Sequence, residues 1–171
     1  TVTIKGVSPL LMHRFPLGDA DGFEKWSIEK QAEWAVYRAE DGELFIPSEN
    51  VARCLVSAGT FCKGKGRGNL SRVIAGSVLV SPAEWGLGVR EYAIDTRIVK
   101  NPVTRGRHPR HRPRLDAWTV TGILEWDADI LTEKQMRGAV DIAGERIGLL
   151  DYRPETKGPF GRFMVTAWVV S

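Results

Sequence analysis

One segment of the chain gathers the residue types that hold an anion. It runs from Ile147 to Phe163 and contains Gly148, Gly158 and Gly161, the cations Arg153, Lys157 and Arg162, and the rings of Tyr152 and Phe160. Glycine lets a backbone approach a ligand closely or take positive φ. Successive backbone N–H groups beside Arg and Lys form an anion-binding concavity. The chemistry expected is a clamp on a phosphate backbone. A helix C-cap followed by a turn is the alternative, since Gly and Pro are common past helix ends.

A second concentration of charge lies upstream. Between Asp95 and Asp116 there is no acid and there are seven bases, Arg97, Lys100, Arg105, Arg107, Arg110, Arg112 and Arg114. The 171-residue chain has a net charge of +3, so the remainder carries −4, seven less. Such a block suits a polyanionic partner, with single-stranded RNA or DNA as the expectation and a solvated hairpin tip as the alternative. Arg53 and the loop with Lys63, Lys65 and Arg67 extend the track. That loop is not a Walker loop, because the Gly-Lys-Ser/Thr ending is missing. The nucleic-acid-binding set is therefore Arg53, Lys63, Lys65, Arg67, Arg105, Arg107, Arg110, Arg112, Arg153, Lys157, Phe160 and Arg162. Tyr152, Phe160 and Trp168 are candidates for stacking on bases, or for packing against an insertion.

Acid–base chemistry has few candidates. His108 and His111 stand among arginines and read as further phosphate contacts. His13, beside Arg14, is the better catalytic candidate, with no partner visible in the sequence. Asp19 and Asp21 read as a polar surface turn. Asp95 and Asp116 flank the basic block and are expected to pair with its arginines. No His/Cys/carboxylate cluster has metal-ligand spacing, no nucleophile elbow is present, and no cofactor is expected. Cys54 and Cys62 make neither a disulfide framework nor a zinc set; they suit reduced thiols in a cytoplasmic protein. No run nears the roughly 18 apolar residues of a membrane helix. The start, Thr1-Val2-Thr3-Ile4, lacks the basic and apolar regions of a signal peptide.

These groups need a scaffold, and the length suits one domain over residues 1–171. Val2 and Ile4 alternate with polar residues as a half-buried strand. Residues 8–47 read as an insertion with a helix from Ser27 to about Ala39 and a short strand from Glu43 to Ile46. Ser48 suits the N-cap of a helix with Val51, Cys54, Leu55 and Ala58 on one stripe. A short helix near Leu70 to Ala75 and a strand near Val78 to Val80 follow. Tyr92 to Lys100 alternates, with Asp95, Arg97 and Val99 on one face. Asn101 to Pro113 reads as a basic loop, because Pro102, Pro109 and Pro113 argue against regular strand pairing. Leu115 to Trp126 is a strand with Trp118, Val120, Leu124 and Trp126 inward. Thr132-Glu133-Lys134-Gln135 is a capping box opening a helix whose core stripe includes Met136, Ala139 and Val140. The last strand, about Gly161 to Val170, points Phe163, Val165, Ala167 and Val169 in and Arg162, Met164, Thr166 and Trp168 out. This order predicts an α+β, ferredoxin-like (RRM-like) βαββαβ fold. It has a helical insertion after the first strand and a basic thumb-like insertion, residues 101–114, between the second and third. Right-handed crossovers put both main helices on one sheet face, leaving the other open for unstacked bases.

Three segments, in this order, suggest a family: Val7-Ser8-Pro9-Leu10-Leu11 after the first strand, Phe45-Ile46-Pro47-Ser48-Glu49-Asn50-Val51 opening a helix, and Gly158-Pro159-Phe160-Gly161-Arg162-Phe163 before the last strand. Together they resemble the RAMP superfamily of CRISPR RNA-binding proteins. The resemblance implies a ferredoxin-like fold, a glycine-rich loop on RNA, and a thumb like that of the backbone subunits that line up along guide RNA. It fits an effector subunit or a free-standing relative carried by a mobile element. It also implies two possible chemistries: metal-independent RNA cleavage using His, for which His13 is the candidate, and target cleavage by a loop aspartate, for which Asp19 and Asp21 are. The expectation is a non-catalytic RNA-binding module, a homo-oligomer or ribonucleoprotein subunit with no membrane association. An endoribonuclease and a structural protein docking an acidic partner stay open.

Overall fold

The chain opens on Val2–Gly6, β1, whose Val2 and Ile4 are both 2% exposed, as the alternation requires. The computed structural model describes residues 1–14, 22–64, 66, 68–100 and 105–170, without the side chains of Glu24 and Lys100. Asp19, Asp21, Lys65 and Arg67 lie outside the described residues. Strand β2 is Leu10–Leu11, helix α1 Ile28–Trp34, strand β3 Phe45–Pro47 and helix α2 Ser48–Gly59. Helix α3 is Ser71–Ser77, and β4 to β8 are Val78–Ser81, Glu84–Gly86, Ala93–Lys100, Arg107–Leu115 and Thr119–Trp126. Helix α4 is Glu133–Ile142, continued by a π-helical turn at Ala143–Ile147, and β9 is Phe163–Trp168. The fold is mixed α+β with antiparallel sheets.

The main sheet has the order β4-β8-β1-β9, every pair antiparallel. Val51, Cys54 and Leu55 of α2 and Met136, Ala139 and Val140 of α4 share one buried core with Val2, Ile4, Val120, Leu124 and Phe163. Both helices therefore cover the same face. Gly122 interrupts the inward stripe of β8. Any side chain there would collide with the indole of Trp85, which is 1% exposed and fills the space from β5. The opposite face presents Thr3, Thr121, Leu79, Ile123 and Met164, without an aromatic ring. The capping box of α4 is present: Thr132 Oγ1 accepts from the Gln135 N–H at 3.3 Å, and Gln135 Oε1 accepts from the Thr132 N–H at 3.0 Å.

Four local expectations are corrected. Helix α1 ends at Trp34 rather than Ala39, because Arg38 leaves it to bridge Leu44 and grip Glu33 through two nitrogens. Ser48 is the first helical residue of α2; the N-cap is Pro47, with no side-chain cap bond. Trp168 points inward. A β-bulge between Thr3 and Ile4 pairs Ile4 with Val165 but Thr3 with Ala167, which reverses the facing beyond it. The Trp168 ring then packs 6.0 Å from Trp126, and its Nε1 donates to Glu133.

Most of the expected basic loop is strand β7, paired residue for residue with β6 from Ala93↔Arg114 to Lys100↔Arg107. Its prolines do not prevent this, because both sit at the same phase of the ladder, Pro109 opposite Ile98 and Pro113 opposite Ile94. In an antiparallel pair alternate residues turn their N and C=O away from the partner. The Pro113 carbonyl accepts from the Met12 N–H, on the β2 side, so neither proline removes a donor from the β6 ladder. β2, β7 and β6 form a second sheet, β3 and β5 a third. Helix α1 packs on β7.

Cys54 is buried and Cys62 half-buried, both as free thiols. Burial pushes the thiol pKa of each upward, and Cys54 Sγ donates to the Gly148 carbonyl. Thiol labelling of the native protein is expected to reach Cys62 well before Cys54. Equal rates would mean that the helix carrying Cys54 opens readily.

Candidate nucleic-acid interface

Because side chains alternate along a strand, the β6–β7 ribbon divides its residues between two faces. Asp95, Arg97 and Val99 share one face with Arg110, Arg112 and Arg114; Arg107, Pro109, His111 and Pro113 lie on the other. His111, on the α1 side, is buried, with Nδ1 2.8 Å from Thr96 Oγ1. The arginine-bearing face looks towards the loop between the π-helical turn and β9.

Asp151 in that loop is the point where the two meet. Its Oδ2 accepts from Arg112 Nη1 and lies 3.4 Å from His13 Nδ1; its Oδ1 accepts from the Tyr152 N–H at 2.8 Å. The Arg112 side chain is 7% exposed and that of Asp151 31%. Burial disfavours the charged carboxylate, but hydrogen bonds from His13 and Arg112 and the guanidinium charge outweigh it and hold Asp151 well below the usual carboxylate range. His13 Nε2 is 3.3 Å from Arg110 Nη1, which can only donate. The imidazole thus lies between a carboxylate and a guanidinium, with Nδ1 towards Asp151 and Nε2 towards Arg110. His13 has the partner that its sequence neighbours did not reveal.

The glycine-rich loop is built differently from the expected cradle. The N–H groups of Leu149, Gly158, Phe160 and Gly161 donate to carbonyls of Gly161, Arg153, Tyr152 and Pro9, and that of Asp151 to Leu11. The Arg162 N–H donates to Ser8 Oγ. A Cβ at Gly158 would run into the Tyr152 carbonyl. The glycines therefore let the loop pack on itself, and these donors are occupied rather than presented to a phosphate. The loop also holds Leu150 at φ 60° and Tyr152 at φ 47°, left-handed values that cost non-glycine residues about 1 kcal/mol or more each. Strain on both sides of Asp151 is tolerated because surrounding bonds fix it, and such strain concentrates at functional sites.

Other predicted residues divide clearly. Phe160 is 4% exposed, so it is no open platform; the Arg97 guanidinium lies over its ring at 4.8 Å. Tyr152, 38% exposed, is the accessible ring. Arg153 is bound to Glu155 and to the Leu150 carbonyl, and Arg162 to the Glu145 carbonyl. Arg112 serves Asp151. Asp95 pairs with Arg97 at 2.8 Å and faces Arg114 at 3.8 Å, while Asp116 takes Arg114 at 2.9 Å. Arg105, Arg107 and Lys157 are exposed, as are Arg53 on α2 and Lys63 beyond it, and Arg110 is half-buried. The structure brings His13, Arg110, Arg112 and Phe160 together around Asp151 and Arg97. Asp151 belongs to none of the sequence-predicted sets; its one local signal is a lone acid directly after Leu149-Leu150.

Two hollows flank Asp151. A cleft of about 690 Å³ is lined by Arg97, Val99, Arg112, Asp151, Tyr152 and Thr156, among others. A smaller one of about 150 Å³ is lined by His13, Tyr37, Asn50, Leu150, Asp151 and Arg153. Among the described residues, no group of three or more His, Cys, Asp or Glu side chains is placed to hold a metal ion, and no helix is long and apolar enough to cross a membrane. No protein-family model and no curated protein matches the chain.

Proposed function

We propose that the chain is a single-stranded nucleic-acid-binding module, with RNA as its natural strand, on a ferredoxin-like core of RAMP type. The strand order β4-β8-β1-β9, with α2 between β1 and β4 and α4 between β8 and β9, supports that core. The observation that carries the function is the β6–β7 ribbon. Its face beside the loop that exposes Tyr152 carries Arg97 and Arg110, while Arg107 lies on the other face and Arg105 just before β7. Cations for phosphates next to an aromatic ring for bases is the combination that sequence-tolerant single-strand binders use. The ribbon is the thumb of this reading, and Arg105, Arg107 and Arg110 are its phosphate contacts. Copies lining up along one strand in the cytoplasm, as guide-RNA backbone subunits do, is the corresponding assembly.

His13 supports a second reading, a metal-independent endoribonuclease. An imidazole held by a carboxylate and bordered by an arginine has the parts for proton transfer beside a phosphate. Incubation of the purified protein with labelled single-stranded RNA separates the readings. Intact, shifted RNA is expected. Cut RNA, with cutting lost in His13→Asn while binding persists, would favour the nuclease. No shift would favour an acidic protein partner for the ribbon.

A further inference from the structure

The cleft between the ribbon and the Asp151 loop has two chemically different parts. Its aromatic and apolar surface comes from Tyr152 and Val99, and the Arg97 guanidinium is fixed beside it, with Nε on Asp95 and its plane over Phe160. A held guanidinium and a tyrosine ring are both surfaces on which bases stack. The carboxylate of Asp151 also lines the cleft. Arg112 already balances the charge of this carboxylate, so what Asp151 offers the cleft is a hydrogen-bond acceptor, which suits an uncharged group that donates hydrogen bonds. An ionised carboxylate has about four acceptor sites. Among the described residues three donors use them: the Tyr152 N–H, Arg112 Nη1 and His13 Nδ1. One acceptor site is left.

Resting on the single-strand reading above, we infer that this cleft takes one unstacked nucleobase bearing an exocyclic amino group, stacked on Tyr152 with its amino group on Asp151, while the adjoining phosphates stay on the arginines. Acids accept from the cytosine amino group in this way. Uracil presents a carbonyl oxygen at the same position and sets it against the carboxylate. The module is then sequence-tolerant along the strand and selective at one position.

The experiment titrates wild-type protein with oligo-C, oligo-U and an abasic strand of the same length, at one salt concentration. These strands carry equal backbone charge, so phosphate contacts cancel. Oligo-C is expected to bind about five- to tenfold more tightly than oligo-U. The abasic strand should be weaker than both. Tyr152→Ala should weaken oligo-C binding about tenfold while leaving the salt dependence unchanged, and Tyr152→Phe should match wild type. Equal affinity for oligo-C and oligo-U, with binding intact, overturns the amino-group assignment while leaving the single-strand reading standing. A Tyr152→Ala variant that binds oligo-C like wild type overturns the cleft. Failure of wild type to bind any strand overturns both. The comparison of bases in wild type does not depend on any variant folding.

Discussion

Replacing Arg112 with alanine is expected to unfold much of the protein's margin of stability, lowering the unfolding free energy by about 3–5 kcal/mol. Arg112 is buried and its guanidinium neutralises Asp151, so removal strands a partly buried carboxylate. Arg105→Ala and Arg107→Ala, on exposed positions of the same ribbon, should each stay within about 0.5 kcal/mol of wild type. Urea unfolding midpoints at neutral pH give the comparison. An Arg112→Ala midpoint equal to that of Arg107→Ala would refute the buried-pair assignment. The same pair has an acid signature. The folded-state pKa of Asp151 is depressed, so its contribution is complete above the ordinary carboxylate range. It drains away as pH falls below about 4, through the interval down to the folded value. Asp151→Asn should therefore be less stable than wild type at neutral pH and lose less on acidification.

The second large effect is on binding. With Arg105, Arg107 and Arg110 replaced together by alanine, the slope of log affinity against log salt should flatten by about 2, at about 0.7 per phosphate on a single strand. Affinity should fall alike for strands of every composition, because phosphate contacts carry no sequence information. Arg112 is left intact in this variant, since its loss would confuse unfolding with lost binding. Titration of one labelled RNA at several salt concentrations measures the slope. A triple variant with wild-type affinity and slope would show that the ribbon's charge has another purpose and would turn attention to an acidic protein.

The inward stripes of α2 and α4, the capping box and the core positions of β1 and β8 were legible in the sequence because each is a local periodic pattern. Simple alternation puts Trp168 outward, and the one-residue bulge opposite Thr3 reverses it. Proline content alone suggests a loop where the ribbon lies, because composition does not report a proline's phase in the ladder. Pro109 and Pro113 are four residues apart, and that even spacing puts both on the side where no β6 donor is needed. The site was legible as charge but not as arrangement. Arg112, Arg153 and Phe160 are each engaged within the fold, by Asp151, Glu155 and Arg97, and Asp151 and Arg97 hold the site together through partners far away in the sequence, Arg112 at a separation of 39. No periodicity reports such a pairing.

The internally bonded loop has a thermodynamic consequence for association. Segments that fold on meeting a partner forfeit about 2–5 kcal/mol of interaction energy to ordering. Here the conformational entropy of Leu149 to Arg162 has already been lost in folding, through bonds that tie the loop to Pro9, Leu11 and Ser8 beside the first strand. The strand then meets a finished template. Association should show a heat-capacity change set by the apolar surface of a single cleft, without the larger contribution of coupled folding. Differences among partners would appear in how long they stay rather than in how quickly they arrive.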